Sequence, residues 1–189
     1  NGYYLPITLT EVIITDDMHT LAADSFKEMT SLEKCEIPSG IVSIENSAFY
    51  GTINLKSITL TTGLKTIGYS AFSECGIESI NIPNGVTRIG DAAFAKSQLK
   101  SINIPASVNY IGNNAFSEAI ALETITFDKD SSLTTIEAYT FAGTTNLKSI
   151  IIPSNVTRIG NNAFSEAIAL ETIIIPSNVT HIGNNAFSE

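Results

Sequence analysis

The sequence predicts a solenoid of the α/β type, mainly β, with about eight coils of 22–25 residues each. Two observations predict it. Eight phenylalanines, Phe26, Phe49, Phe72, Phe94, Phe116, Phe141, Phe164 and Phe187, recur at intervals of 23, 23, 22, 22, 25, 23 and 23 residues. A sustained period of this length marks stacked supersecondary units. The apolar residues around each Phe also keep constant offsets, so every unit follows one plan. No unit can bury its own apolar face, and the faces become a core only when units stack. Residues 1–189 therefore read as one repeat array.

The first element of each unit is a strand. Counting from Leu170 as offset 0, apolar residues fall at offsets 0, 3, 5, 9, 12 and 17. Offsets 3 and 5 have the period-two spacing of a strand that shows alternate residues to a core. They read Val12/Ile14, Cys35/Ile37, Ile58/Leu60, Ile80/Ile82, Ile102/Ile104, Ile125/Phe127, Ile150/Ile152 and Ile173/Ile175. Most are β-branched, as strand positions prefer. Stacked strands would form a parallel sheet with neighbours about 4.8 Å apart.

A turn follows. Pro38, Pro83, Pro105, Pro153 and Pro176 come directly after the strand. Proline lacks an N–H and fixes φ, so it ends a strand and suits a turn. Offset 8 holds Asp17, Gly40, Gly63, Gly85, Ser107, Asp130, Asn155 and Asn178, residues that close turns. Repeat 6 carries two extra residues around Asp128-Lys129-Asp130-Ser131-Ser132, which predicts a bulging loop.

A second short apolar pair comes next, as in Val86/Ile89, Val108/Ile111, Val156/Ile159 and Val179/Ile182. Glycine often follows, and Ala usually precedes the Phe. A Gly-Asn-Asn-Ala-Phe-Ser-Glu run is too short for a long helix, but Asn can cap one helical turn. The expectation is a short helical or 3₁₀ segment at each Ala-Phe. The phenylalanines should form a ladder on the side away from the sheet.

Composition excludes several function classes. Net charge is −9, and the ten Lys and Arg residues are scattered. A nucleic-acid binder needs clustered cations, so that partner is not expected. No run of about 18 apolar residues is present, so no membrane insertion is expected within this segment. Asn1-Gly2-Tyr3-Tyr4 does not resemble a signal peptide, which leaves secretion open. Cys35 and Cys75 are too few for a disulfide scaffold or a zinc site and read as free, buried apolar residues. Asp16, Asp17, His19 and Asp24 match no metal-ligand spacing, and Asp128 with Asp130 reads as a solvated loop. No Ser, His and acid are placed to act together, and no phosphate loop is present. Cofactors, metals and catalytic residues are therefore not expected.

The pattern L-x-x-I-x-I-P-x-x-V-x-x-I-G-x-x-A-F, from Leu9 to Glu189, resembles leucine-rich repeats. More narrowly it is similar to the BspA-like, or treponemal-type, subclass. The resemblance implies a right-handed superhelix with a parallel sheet on its concave face. It also implies a secreted or cell-surface protein engaged in adhesion or protein–protein contact. Two departures stand out. The offset-8 column mixes Gly, Asn, Asp and Ser where the common cytosolic-type repeat has an Asn ladder. Only Cys75 keeps the Cys that often follows the Phe in the subclass.

In such a repeat the outward strand positions would line the concave face. The candidate partner-binding residues are Ser79, Asn81, Ser101, Asn103, Thr124, Thr126, Ser149, Ile151, Thr172 and Ile174. Ile151 and Ile174, flanked by prolines, form a candidate apolar pad, although β-branched residues also simply suit strands. Ile151–Glu166 and Ile174–Glu189 differ only at Arg158 against His181. Such recent duplication argues against a unique catalytic group there. Asn155-Val156-Thr157 and Asn178-Val179-Thr180 are glycosylation sequons. Leu5-Pro6 resembles the tail of an earlier unit and the last unit stops after Phe187, which reads as a piece of a longer array. The leading functional expectation is a non-catalytic scaffold that binds a protein, of host or cell-envelope origin, or a glycan. The alternative is a stiff stalk that presents other domains.

Overall fold

In the computed structural model, residues 8–15 and 18–188 are described. Asp16 and Asp17, half of the acidic cluster near His19, lie outside them, as do Leu5-Pro6. The chain forms a mainly-β parallel solenoid of about seven turns. Each repeat contributes two strands. The longer strands are β1 (Glu11–Ile13), β3 (Lys34–Glu36), β5 (Ser57–Thr59), β7 (Ser79–Asn81), β9 (Ser101–Ile104), β11 (Thr124–Phe127), β13 (Ser149–Ile151) and β15 (Thr172–Ile174). The two-residue strands are β2 (Thr20–Leu21), β4 (Ser43–Ile44), β6 (Thr66–Ile67), β8 (Arg88–Ile89), β10 (Tyr110–Ile111), β12 (Thr135–Ile136), β14 (Arg158–Ile159) and β16 (His181–Ile182). The longer strands make a major sheet, as the alternation predicts. The second apolar pair builds a minor sheet of its own.

Every pairing is parallel and joins equal offsets, such as Lys34 with Ser57 and Cys35 with Ile58, except that Thr135 of β12, shifted by the insert, pairs with Arg158 two offsets earlier. Inward residues are buried, from Cys35 and Ile58 to Ile125 and Ile150, while their strand neighbours are exposed. Both cysteines are free and buried. The phenylalanines stack ring on ring, with centroids 5.0–5.5 Å apart and planes within 18° of parallel. Phe49 through Phe164 are essentially inaccessible to solvent, and Phe187, the last ring, is 43% exposed.

The expected helical segments are absent among the described residues. Tandem β-turns replace them. Around Phe49, the N–H groups of Ala48, Tyr50 and Thr52 donate to the carbonyls of Glu45, Ser47 and Phe49. The intervening N–H groups of Ser47, Phe49 and Gly51 donate instead to Tyr69, Ala71 and Ser73 of the next repeat. The residues two before and two after the Phe have positive φ, as at Ser47 (55°) and Gly51 (68°) or Ala92 (53°) and Lys96 (57°). That value at the third position of a turn is the type II arrangement, and it prevents a right-handed helix. The Asn residues before the Phe cap no helical turn, because no helix forms there. Asn114, Asn162 and Asn185 occupy the positive-φ position, which Asn tolerates better than most residues. The result is a third coil-to-coil ladder, with Phe N–H to Ala carbonyl distances of 2.8 Å at Phe26, Phe49, Phe72 and Phe94.

Close approach explains the glycines that follow the minor strands. A Cβ on Gly90 would sit 2.7 Å from the carbonyl carbon of Gly68. Surface charge supports the same register. Offset 1 alternates in sign through Glu33, Lys56, Glu78, Lys100, Glu123, Lys148 and Glu171. Lys56 Nζ lies 3.3 Å from Glu33, and Lys100 Nζ lies 2.6 Å from Glu78. Each exposed pair contributes little, but like charges stacked in one column would repel.

Two neighbouring substitutions should have opposite outcomes in urea unfolding. Phe94→Ala opens the middle of the ring stack and should cost about 3–5 kcal/mol. Ala92→Gly relieves a positive φ and should not lower the midpoint, whereas the same change within a helix would cost about 1 kcal/mol. Burial, with Glu36 nearby, pushes the Cys35 thiol up to about 12. Cys35 and Cys75 should resist thiol reagents at pH 8 in the folded protein and react after unfolding, as a timed labelling assay would show.

Candidate binding face

All ten candidate residues are exposed on the outer face of the major sheet. The sheet divides them into two blocks. In the first, Ser79, Ser101 and Thr124 form one row, and Asn81, Asn103 and Thr126 form the next. In the second, Ser149 pairs with Thr172 and Ile151 with Ile174. Ile151 is 65% exposed and Ile174 is 53% exposed, so the predicted apolar pad is present. Alternation alone would put the prolines on this outward face as well. Instead Pro38, Pro83, Pro105 and Pro153 are buried, and Pro176 is half-buried.

The blocks are separate because ladder pairing stops between β11 and β13. This is where repeat 6 has its two extra residues. The minor sheet is interrupted at the same repeat, between β10 and β12. Only the ring side carries through. Phe116 and Phe141 remain 5.5 Å apart, and Phe116 N–H donates to the Thr140 carbonyl at 2.9 Å. The solenoid is thus held on one side and loosened on the other two. A second break in the major sheet, between β5 and β7, coincides with the loss of one residue before Ile77. Gly76 allows that shortcut, since a Cβ there would lie 2.1 Å from the Ile53 carbonyl oxygen.

The repeat-6 break opens a depression of about 600 Å³. Thr124 and Thr126 line one wall, and Ser149 and Ile151 line the other. The inserted residues Asp128, Lys129, Asp130 and Ser131 close one end, with Pro153 and Pro176 beside them. Two features that looked unrelated in the sequence, the insert and the Ile151 end of the pad, therefore border one cavity. Ser79, Asn81, Ser101, Asn103, Thr172 and Ile174 do not line it.

A polar chain organises its rim. Thr126 Oγ1 donates to Asn103 Oδ1 at 2.8 Å, and Asn103 Nδ2 donates to Asp128 Oδ1 at 2.9 Å. Asn103 thereby ties the inserted loop back to β9. Behind the loop, Asn155 Nδ2 donates to the Ser131 carbonyl at 2.8 Å, and Asn178 Nδ2 repeats the bond to Ser154. The mixed offset-8 column thus keeps a two-step amide ladder, and both sequon asparagines are engaged in it.

Among the described residues, no cluster of three His, Cys, Asp or Glu side chains could hold a metal ion. His19 is exposed and Asp24 lies 3.5 Å from Lys27. His181 occupies the outward position in register with Arg158. The column that holds Cys75 also holds Met29, Thr52, Ser97, Ala119 and Thr144, all buried. No described helix is long and apolar enough to cross a membrane.

Asn103→Ala should loosen the inserted loop while leaving the Asp128 N–H to Ile104 and Ser132 N–H to Ala106 bonds in place. Amide hydrogen exchange at residues 128–132 should quicken several-fold, while the thermal midpoint moves little, because the bonds are exposed.

The BspA type leucine rich repeat region model matches six times, over residues 3–76, 19–133 and 65–189. A leucine-rich repeat protein from Bacteroides ovatus superposes with a TM-score of 0.85 at 30% identity, covering 92% of this chain and 47% of that one. The chain thus spans about half the length of that relative. The T. pallidum leucine rich repeat protein superposes with a TM-score of 0.79 at 25% identity, covering 88% of this chain and 80% of that one. A leucine rich cell surface protein from Faecalibacterium prausnitzii gives a TM-score of 0.58 at 31% identity, covering 95% and 57%. No curated protein sequence matches the chain significantly. With the repeat pattern, the parallel ladders and these likenesses in agreement, the chain belongs to the BspA-type leucine-rich-repeat family.

Proposed function

We propose that the chain is a non-catalytic binding scaffold that docks a protein partner on the outer face of its major sheet. The carrying observation is the depression between β11 and β13, which joins the exposed Ile151 to an inserted loop held in place by Asn103. An exposed apolar residue beside fixed polar groups is the composition of an interface centre with a polar rim. The surrounding Ser, Thr and Asn side chains are short, so little side-chain entropy is lost when a partner covers them. A cell-surface location is part of the proposal, supported by the Faecalibacterium prausnitzii relative described as a leucine rich cell surface protein.

A second reading, a stiff stalk that presents other domains, is favoured by one observation. The ring stack continues without interruption past the repeat where both sheets break. Affinity capture from host and envelope fractions separates the two readings. The intact chain should retain a discrete protein, and the double variant Ile151→Asp/Ile174→Asp should lose it by at least about tenfold, as truncation of an interface centre does. Capture unaffected by the double change would remove the pad from the interface. Failure to capture anything, with loss of function on shortening the array, would favour the stalk.

A further inference from the structure

Away from the major sheet, the outward positions of the minor sheet gather a second set of side chains in repeats 3 to 5. Thr66, Arg88 and Tyr110 lie in register on β6, β8 and β10. The Arg88 guanidinium sits over the Tyr110 ring, 3.9 Å from its centroid. Tyr110 Oη donates to Asp91 Oδ1 at 3.1 Å. Asp91 is seated against Gly112, where a Cβ would lie 2.2 Å from Asp91 Oδ1. Both charged groups are therefore held by neighbours rather than by each other. Among the described residues Arg88 has no carboxylate within 4.0 Å.

Tyr69 lines the same cleft as Arg88 and Asp91. The residue is 55% exposed, and its N–H donates to Asn46 Oδ1 at 3.0 Å. A cleft of about 360 Å³ lies among Tyr69, Arg88 and Asp91, with Gly68 and Gly90 in its lining. The position of Tyr69 is Asn46, Asp91, Asn113, Ala138, Asn161 and Asn184 in other repeats, so this platform occurs once. Repeats 7 and 8, which nearly copy one another, contain no Tyr.

We propose that this cleft binds one ring of a neutral sugar. An exposed aromatic face packs against the C–H face of a pyranose. A carboxylate accepts and a guanidinium donates, so Asp91 and Arg88 together match a vicinal diol, whose hydroxyls do both. Their charges cancel, which disfavours an ionic ligand of either sign. The net charge of −9 further opposes an anion. The cleft lies at the low end of small-molecule pocket sizes, as one monosaccharide requires. The site is separate from the major-sheet depression and stands or falls independently of it.

Saturation-transfer NMR on the intact chain tests this with methyl glycosides of glucose, galactose and mannose and with N-acetylglucosamine. At least one should receive saturation on its ring C–H protons, with millimolar affinity. The signal should vanish in Tyr69→Ala, persist in Tyr69→Phe, and weaken about tenfold in Arg88→Ala, the loss expected for a charge-assisted hydrogen bond. It should be unchanged in Ile174→Asp. Because Tyr69 is exposed, an unchanged thermal midpoint will show that Tyr69→Ala is folded. Transfer to none of the glycosides overturns the proposal, as does transfer that survives Tyr69→Ala. Binding restricted to sulfated or carboxylated sugars also overturns it. So does a protein partner lost on Tyr69→Ala when no glycoside binds.

Discussion

Each repeat leaves its backbone hydrogen bonds to be completed by the next one, and the rest of the molecule depends on this. Three columns run along the stack: the major sheet, the minor sheet and the turn ladder beside the rings. Buried amides must be paired, and here most of the pairing is between repeats rather than within them. That requirement makes a single repeat unstable and the stack cooperative. The Phe rings occupy the space this leaves inside, and each adds about 1.5–3 kcal/mol of burial. The stacking of parallel rings follows from the hydrogen bonding, because equal offsets brought into register must superpose.

The same constraint explains features that seem incidental in the sequence. Glycine recurs after the minor strands because adjacent backbones come closer there than a Cβ permits. Positive φ is accepted at Ser47, Ser70 and Ala92 because it turns alternate N–H groups towards the neighbouring repeat. The cost of an unfavourable backbone angle, about 1 kcal/mol or more for a non-glycine residue, is offset by the ladder bond it permits. Alternating Glu and Lys at offset 1 removes the repulsion that strict repetition would impose. Regularity generates these solutions, and a change in repeat length disturbs them. The two extra residues of repeat 6 uncouple both sheets but not the turn ladder, because they enter on the side away from the rings.

Much of the candidate binding face could be read from the sequence. Alternation in the strand identified all ten exposed residues, since side chains one position either side of a buried one lie on the opposite face of the sheet. The exposure of Ile151 and Ile174 followed from the same rule. Their relation to the insert did not. Repeat counting located the extra residues at Asp128–Ser132, but not that they would border the same cavity as Ile151. The Asn103–Asp128 bond spans 25 residues and depends on how far the loop leans. The Tyr69–Arg88–Asp91 cluster went unseen for a related reason. Its members come from different offsets, and a column-by-column reading treats each one as an isolated surface substitution.

By itself the sequence determined the period, the stacking, the strand that alternates, the identity of the core and the position of the register break. These are properties of one repeat multiplied, so local pattern suffices. The tertiary structure alone decided three things: that the Ala-Phe segment is a run of β-turns rather than a helix, that the second apolar pair pairs into its own sheet, and which surface residues from different repeats become neighbours. The physical reason is common to all three. In each case the deciding hydrogen bond or contact lies between repeats, and a segment of seven residues carries no record of what its N–H groups will meet one coil away.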